Sequence, residues 1–364
     1  MLAQSDVATY LLDRGLLNAA AIVDGDVTVR DASSRNRNFK VESSHGPSYL
    51  LKQGLGPEAV ATVAHEAGVY DYLSKKGRVH PYLPVFHGYD AERQVLVLEL
   101  MRNGTDLRTY HQRSGPFGVG LAESLGRALG ALHRATTFTD DAKPAPEQAP
   151  FALSLHRPDS RIFRDLSATS IELIKMIQHA PSLTKRLDSL RAAWSPSAVI
   201  HQDVKWDNVI VFTTSGSRGR TGLKLVDWEG AVNGDPCWDI GSAFSHYLST
   251  WLFSIPITGQ SPPEDFPKLA KYPLEKMQPA IRRCWLSYVA AVRADSAAAR
   301  HRLVRSVEYS GARLVQTAFE MSQVSMELNG AIVLHLQLAQ NMLDRTPEAA
   351  VQLLGLPLYA PAGR

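Results

Sequence analysis

Cysteine is scarce in this chain. Of 364 residues, Cys237 and Cys284 alone carry a thiol. Two thiols cannot build a disulfide framework, and their separation matches no metal-ligand spacing, so both are expected as small buried apolar groups, a usage that suits a reducing compartment. The N-terminal stretch MLAQSDVATYLLDRG contains acidic residues and lacks a long apolar run. Neither a signal peptide nor a membrane span is therefore expected, and a cytoplasmic location is the default. An excess of one charge is missing as well. The net charge is +3, and no dense Lys/Arg block alternates with aromatics, which sets nucleic acid aside as a partner. No self-similar period of roughly 20 to 50 residues is present, which excludes a solenoid.

What is present describes an ordinary folded protein. The chain is 45% hydrophobic and 21% charged, and it is long enough for two lobes with their own cores. Residues 27 to 100 read mainly as short strands, TVRD, FKVES, SYLLKQ and VLVLEL, separated by turn-rich pieces such as SSHGPS. One helix is predicted among them, over residues 58 to 75, where Val60, Val63, Ala67, Tyr70 and Leu73 form a stripe. After NGTDL the period changes. Residues 119 to 134 place Leu121, Leu125, Ala128, Leu129 and Leu132 on one helical face. The segment DDAKPAPEQAP reads as a surface loop, and residues 168 to 194 offer two more helices. Two strands, VIVF and LKLVD, flank TTSGSRGRTG, whose glycines and polar residues fit a hairpin loop. The remainder is expected to be helical apart from the Pro-rich link TGQSPPEDFPK.

One stretch carries chemistry. HQDVKWDNVIVF, residues 201 to 212, packs an acid, a lysine and an amide into a tight loop and then runs into apolar residues. Asp203, Asn208 and Asp227 follow in order, the last at the end of the hairpin in LVDWEG. Phosphoryl transfer needs a carboxylate that orients an attacking hydroxyl and accepts its proton, and it needs oxygen ligands that hold Mg2+ against nucleotide phosphates. Asp203 would be the base. Asn208 and Asp227 would face each other across the hairpin as metal ligands, a sparse set that Mg2+ tolerates because phosphates and waters complete its octahedron. The competing reading is a polar turn between strands. Against it stand the apolar residues directly after Asn208 and before Asp227, which imply buried strands that fix both polar groups at a common end.

With these residues in hand, HQDVKWDN followed by LVDWEGAVNGDPCWDIG resembles the aminoglycoside phosphotransferase and choline kinase superfamily, whose fold is related to that of protein kinases. LGRALGALHR and HEAGVYDYLSKKG look like two further stretches of that family. The resemblance covers roughly residues 25 to 295 and is strongest from 200 to 241; residues 1 to 24 and the last seventy or so contribute no motif. It implies an α+β, two-lobed, protein-kinase-like fold, with residues 1–103 as a β-rich nucleotide lobe and 104–364 as a helical lobe. It also implies transfer of the γ-phosphoryl group of ATP, with Mg2+, to a hydroxyl. Asp203 would be the catalytic base and Lys205 would point at the transferred phosphate. Asn208 and Asp227 would be the Mg2+ ligands, and Asp239 the buried acid that braces the loop through backbone amides. Small-molecule kinases of the family more often carry His at the position of Lys205, and a solvated loop lysine is the plain alternative.

In the first lobe, Lys52 of SYLLKQ would anchor the α and β phosphates. Glu66 would pair with it, with Glu58 as a competing candidate and a merely solvated glutamate as the bland one. Backbone groups of Glu99 and Met101 would hydrogen-bond a purine edge, with Leu98 and Met101 in apolar contact. The family pattern is broken in one place: RDASSRNRNFKV holds no glycine where a glycine-rich phosphate cover is common among protein kinases. Ser33, Ser34, Arg35, Asn36 and Arg37 could donate from side chains instead, or form only a charged strand turn. Twelve positions separate Asp227 from Asp239, which leaves no room for a long activation segment. Glu229 stands where protein kinases have glycine, which disfavours a flipping loop. The basic balance of residues 151 to 194 argues against a polycationic acceptor and for a neutral or acidic small molecule, with a peptide Ser/Thr hydroxyl as the alternative acceptor. A nucleotide-binding scaffold without catalysis is the reading from another class; Asp203, Asn208, Asp227 and Lys52 together argue against it.

Overall fold

The computed structural model describes residues 1–33, 36–114, 117–138, 146–159, 166–213, 221–256 and 263–358. In chain order the elements begin with α1 (Val7–Asp13), α2 (Ala19–Val23), β1 (Val27–Asp31), β2 (Arg37–Ser43), β3 (Tyr49–Gln53), α3 (Pro57–Ser74), β4 (Phe86–Asp90), β5 (Val95–Glu99) and β6 (Thr105–Asp106). They continue with α4 (Leu107–Ser114), α5 (Val119–Ala135), α6 (Ala168–Gln178), α7 (Pro181–Ala192), β7 (Ala198–Ile200), β8 (Val209–Thr213), β9 (Thr221–Leu225) and β10 (Val232–Gly234). The chain closes with α8 (Pro236–Phe253), α9 (Leu274–Val292), α10 (Ser296–Val324), α11 (Gly330–Asp344) and α12 (Thr346–Gln352). The Pro-rich link is less irregular than its composition suggests, because Pro263–Leu269 closes into a 3-10 helix. The last strand of the hairpin lies two residues earlier than LKLVD, at Thr221–Leu225, and Asp227 beyond it takes the left-handed conformation.

These elements form two compact units. One comprises Met1–Tyr110 with Asp207–Ala231, the other His111–Trp206 with Val232–Arg364. The first is built on an antiparallel sheet in the order β1-β2-β3-β5-β4. Strand alternation divides its residues between two faces. Phe39, Val41, Tyr49, Leu51, Val95 and Val97 point one way, into a core closed by Leu2, Val7, Tyr10, Leu11 and Leu17. The N-terminal segment, which carries no motif, is thus the cover of the sheet. Lys52 stands opposite Asn38 and Leu96, and Leu50 opposite Lys40 and Leu98, so these residues share the other face. The same unit holds the β6-β8-β9 sheet, in which Val209 pairs with Leu225.

The second unit is helical. Its helix α8 is buried nearly all round, polar residues such as Asp239, Ser242 and Ser245 included, and its start is fixed by Pro236 and by Asp235, whose side chain accepts the N–H of Cys237 at 3.0 Å. Helices α5 and α9 pack at close range through the glycines of α5. A Cβ at Gly126 would lie 2.1 Å from the Cys284 carbonyl oxygen. The pairing of β7 with β10, Ile200 opposite Val232, delivers the chain to His201. Both cysteines are free and buried, and burial pushes both thiol pKa values up.

Candidate active site

In the first unit, the sheet face that carries Lys52 borders a cleft of about 460 Å3. Leu50, Leu98, Ile210 and Val226 make its apolar walls; Lys52, Asn208 and Asp227 make a polar end. Lys52 is 12% exposed, and its Nζ donates to Glu66 Oε1 at 2.9 Å, to Glu66 Oε2 at 3.0 Å and to Asp227 Oδ1 at 2.7 Å. Burial alone would lower the lysine pKa, but the two carboxylates outweigh it and the net direction is up, so the ammonium is held charged. Glu66 is fully buried on α3, whereas Glu58, the competitor, is exposed in the first turn of that helix.

Asn208 and Asp227 come together at one end of the β8–β9 hairpin. The Val226 N–H donates to the Asn208 carbonyl oxygen at 3.0 Å, one step beyond the Val209–Leu225 pair. Asp227 adopts the left-handed conformation at φ 67 and ψ 62, a costly choice for a residue with a side chain. Arg108 clamps the neighbouring Asp207 by a forked pair, Nε to Oδ1 at 3.0 Å and Nη2 to Oδ2 at 2.8 Å. Glu99 and Met101 both line the cleft; the Glu99 carboxylate accepts the Val85 N–H at 3.0 Å and so is committed locally. Gly104 lines it as well, where a Cβ would meet Ile210 Cγ2 at 2.6 Å.

The glycine-free loop contributes less. Ser34 and Arg35 lie outside the described residues. Ser33 is engaged within the turn, its N–H to Asp31 Oδ1 at 2.8 Å and its Oγ to the Asn38 N–H at 3.2 Å. Asn36 is not among the described residues that line the cleft. Three charged lining residues were missed by the sequence reading: Lys40, Glu42 and Arg102. The first two were accessible, since the alternation in FKVES sends Lys40 and Glu42 to the face opposite Phe39 and Val41. Arg102 is tied to the carbonyl oxygens of Ser43 and Ser44, which no local pattern signals.

In the second unit, β7 leads into the loop that carries Asp203. Asp239, fully buried in the first turn of α8, accepts the N–H of His201 at 2.8 Å and of Gln202 at 3.0 Å, and lies 3.1 Å from His133 Nε2 on α5. Gln202 is left-handed at φ 67 and its carbonyl oxygen accepts the Trp238 indole N–H at 2.8 Å. Further along the loop, Trp206 is packed against His111, Phe117 and Tyr247. Between these anchors, Asp203 is flanked by two cations. Lys205 Nζ donates to Oδ2 at 2.6 Å and Arg313 Nη2, from α10, to Oδ1 at 3.1 Å. Burial pushes the Asp203 carboxyl pKa up, but Arg313 and then Lys205 outweigh it and hold it at about 2. Arg313 escaped the sequence reading because it lies 110 positions away on a helix with no motif.

No group of three or more His, Cys, Asp or Glu side chains among the described residues could hold a metal ion by itself. An Asn–Asp pair fits only an ion that takes its remaining ligands from phosphate and water, which is the habit of Mg2+. No helix among the described residues is long and apolar enough to cross a membrane.

The comparisons with known proteins bear on the fold and on the family. Among solved structures, the chain is similar to a choline kinase from Cryptosporidium parvum Iowa II, with a TM-score of 0.57 at 12% identity, covering 96% of this chain and 98% of that one. It is also similar to an amicoumacin kinase in complex with AMP-PNP, Ca2+ and Ami, with a TM-score of 0.53 at 14% identity, covering 92% and 96%. A choline/ethanolamine kinase family protein from Mesorhizobium loti gives a TM-score of 0.52 at 16% identity, covering 95% and 96%. These similarities establish a kinase-like α+β fold. No curated protein matches the chain in sequence. The sequence profile of the phosphotransferase enzyme family matches residues 26–259, which span β1, the cleft, the Asp203 loop and α8. The chain belongs to the phosphotransferase enzyme family.

Proposed function

We propose that the protein transfers the γ-phosphoryl group of ATP to a hydroxyl of a small molecule, with Mg2+ as the cofactor. The observation that carries this reading is the buried Lys52 ammonium, held by Glu66 and Asp227 at one end of a cleft with apolar walls. A purine fits between walls of Leu50, Leu98, Ile210 and Val226, and the backbone of Glu99 and Met101 offers its edge partners. Lys52 takes the α and β phosphates as a compact point charge that Glu66 keeps in place. Asn208 and Asp227 hold the metal. Bound Mg2+ supplies charge neutralisation across the phosphates during transfer.

Asp203 orients the acceptor hydroxyl and takes its proton. As the acceptor oxygen bonds to phosphorus, the bond from phosphorus to the bridging oxygen breaks and ADP leaves with that electron pair. A carboxylate whose ordinary state is firmly ionised orients well and accepts the proton late, when the bond to phosphorus is nearly formed. Lys205 moves its charge toward the transferred group. The acceptor is read as neutral or acidic, from the basic balance of residues 151 to 194; kinases of choline and amicoumacin share the fold, so it accommodates small acceptors. Lys205, placed as in protein kinases, favours a second reading, a peptide Ser/Thr hydroxyl.

Titration calorimetry with ATP, in Mg2+ and in EDTA, together with label transfer from ATP to a panel of hydroxyl compounds, tests the proposal. Asp203→Ala is expected to abolish transfer while nucleotide binding persists, and Asp227→Ala to weaken Mg2+-dependent binding. Wild-type transfer by Asp203→Ala overturns the assignment.

A further inference from the structure

Arg313 is 1% exposed, yet it is a full cation in the middle of α10. Nη2 reaches Asp203 Oδ1 at 3.1 Å, and Nη1 reaches Glu320 Oε1 at 2.7 Å, an oxygen that also accepts from Gln316 Nε2 at 2.9 Å. The Nε–H is buried with no acceptor among the described residues. Space filling does not explain such a residue. An aliphatic side chain of similar volume would pack there without desolvating a charge or leaving a donor idle, and such replacements are often neutral or stabilising.

What the guanidinium does touch is one particular oxygen of the proposed base. A carboxylate rotates about its terminal torsion in a broad, roughly two-fold well. Left alone it would offer either oxygen to a hydroxyl. Here the rigid guanidinium occupies Oδ1, while Oδ2 meets Lys205, a flexible side chain 35% exposed and therefore able to exchange partners.

We propose that Arg313 is a positioning residue for phosphoryl transfer: with Glu320 holding it from the other side, it fixes Asp203 by Oδ1, so that Oδ2 is the oxygen presented to the acceptor hydroxyl. This rests on Asp203 being the base. The division of labour between the two cations follows from it. Lys205 leaves for the phosphate during the reaction, and Arg313 keeps the carboxylate from turning when it does.

The test is a mutant cycle read by single-turnover release of label from [γ-32P]ATP with Mg2+, to water and to the hydroxyl panel. Arg313→Met is expected to lower the turnover rate on the order of 10- to 100-fold with the KM for ATP essentially unchanged. Arg313→Lys, which keeps a donor within reach of Oδ1, is expected to recover part of that loss. In an Asp203→Asn background, Arg313→Met should cost nothing further. Equal losses in both backgrounds, or a raised KM for ATP at unchanged turnover, overturn the proposal. If Asp203→Asn releases no label above background, the comparison of Lys with Met decides, and no recovery by Lys overturns it. If Arg313→Met fails to fold by circular dichroism, Glu320→Gln takes its place, with a several-fold loss expected that vanishes beside Asp203→Asn; an undiminished loss there overturns the proposal. A wild-type protein that transfers to neither water nor any hydroxyl defeats the kinase reading itself, whereas active wild type with additive losses defeats Arg313 alone.

Discussion

Glu66 has no exposed side-chain surface and touches one cation. That makes Lys52 the condition for keeping a charge there, because an ionised carboxylate without a partner is strongly disfavoured in a dry site. Lys52→Met should therefore destabilise the fold by roughly 3 to 5 kcal/mol at neutral pH, the usual cost of removing one member of a buried pair. The pH dependence has a definite sign. In the variant, Glu66 and the nearby Asp227 repel each other without the ammonium, so the Glu66 pKa, already raised by burial in the native protein, rises further in the folded state. A folded-state pKa above the unfolded value gives stability that is present at low pH and lost as pH rises. The deficit of Lys52→Met, measured by urea midpoints, should thus be smaller at pH 5 than at pH 7. Adding Glu66→Leu should return part of it. A deficit that is equal at both pH values, or undiminished in the double variant, would show that Glu66 does not depend on Lys52.

At the level of elements, α5 has two duties: it packs on α9, and it carries His133 to Asp239. Its glycines permit the first. At Gly126 a Cβ would stand 2.1 Å from the Cys284 carbonyl oxygen and 2.3 Å from Ser287 Oγ, and at Gly130 2.5 Å from Ala291 Cβ. Alanine is the better helix former by about 1 kcal/mol, but here the added carbon meets backbone, which can yield only by separating the helices. Gly126→Ala should lower stability by about 1 to 3 kcal/mol in urea unfolding; unchanged or increased stability would refute the close packing. The stripe of α5 was legible because it is local, and so was α3, which the periodicity placed over 58 to 75 and which spans Pro57–Ser74. The contact that makes Gly126 indispensable was not, since its partners lie on another helix far along the chain. The same limit hid Arg313, one of four arginines on a long helix that carries no motif. It hid α1 too: Val7, Tyr10 and Leu11 repeat over too few residues to distinguish a helix from any apolar cluster, and only the sheet they cover gives them meaning. Arg37 and Asn38 show the converse, polar residues drawn into β2 by pairing with Gln53 and Lys52. The loop of Asp203 was legible as a motif for a different reason: its polar residues and the strand that follows them are neighbours in the sequence.

For the molecule as a whole, the cleft gathers residues from widely separated stretches. Lys40, Leu50, Tyr70, Leu98, Ile210 and Val226 all line it, and all belong to the unit made of Met1–Tyr110 and Asp207–Ala231. A ligand that binds there stabilises that unit as folded and not its opened forms. At a free concentration about a hundred times Kd the gain is about 2.7 kcal/mol, which is about a hundredfold fewer openings. Amide hydrogen exchange reads those openings segment by segment. With ATP and Mg2+, exchange should slow in 49–53 and 95–101, which pair in the five-stranded sheet, and in 209–212 and 223–227, the two arms of the β8–β9 hairpin, because both pairs line the cleft. The slowing should approach a hundredfold for amides that exchange through opening of the whole unit, and less for those that exchange by local fraying. EDTA should remove most of the effect if Asn208 and Asp227 hold the metal as proposed, because Lys52 and the apolar walls alone would hold nucleotide weakly. Protection restricted to His111–Trp206 and Val232–Arg364, or none in either unit, would remove the cleft from the nucleotide reading. Protection equally strong without divalent ion would keep nucleotide there and release Asn208 and Asp227 from their role as metal ligands.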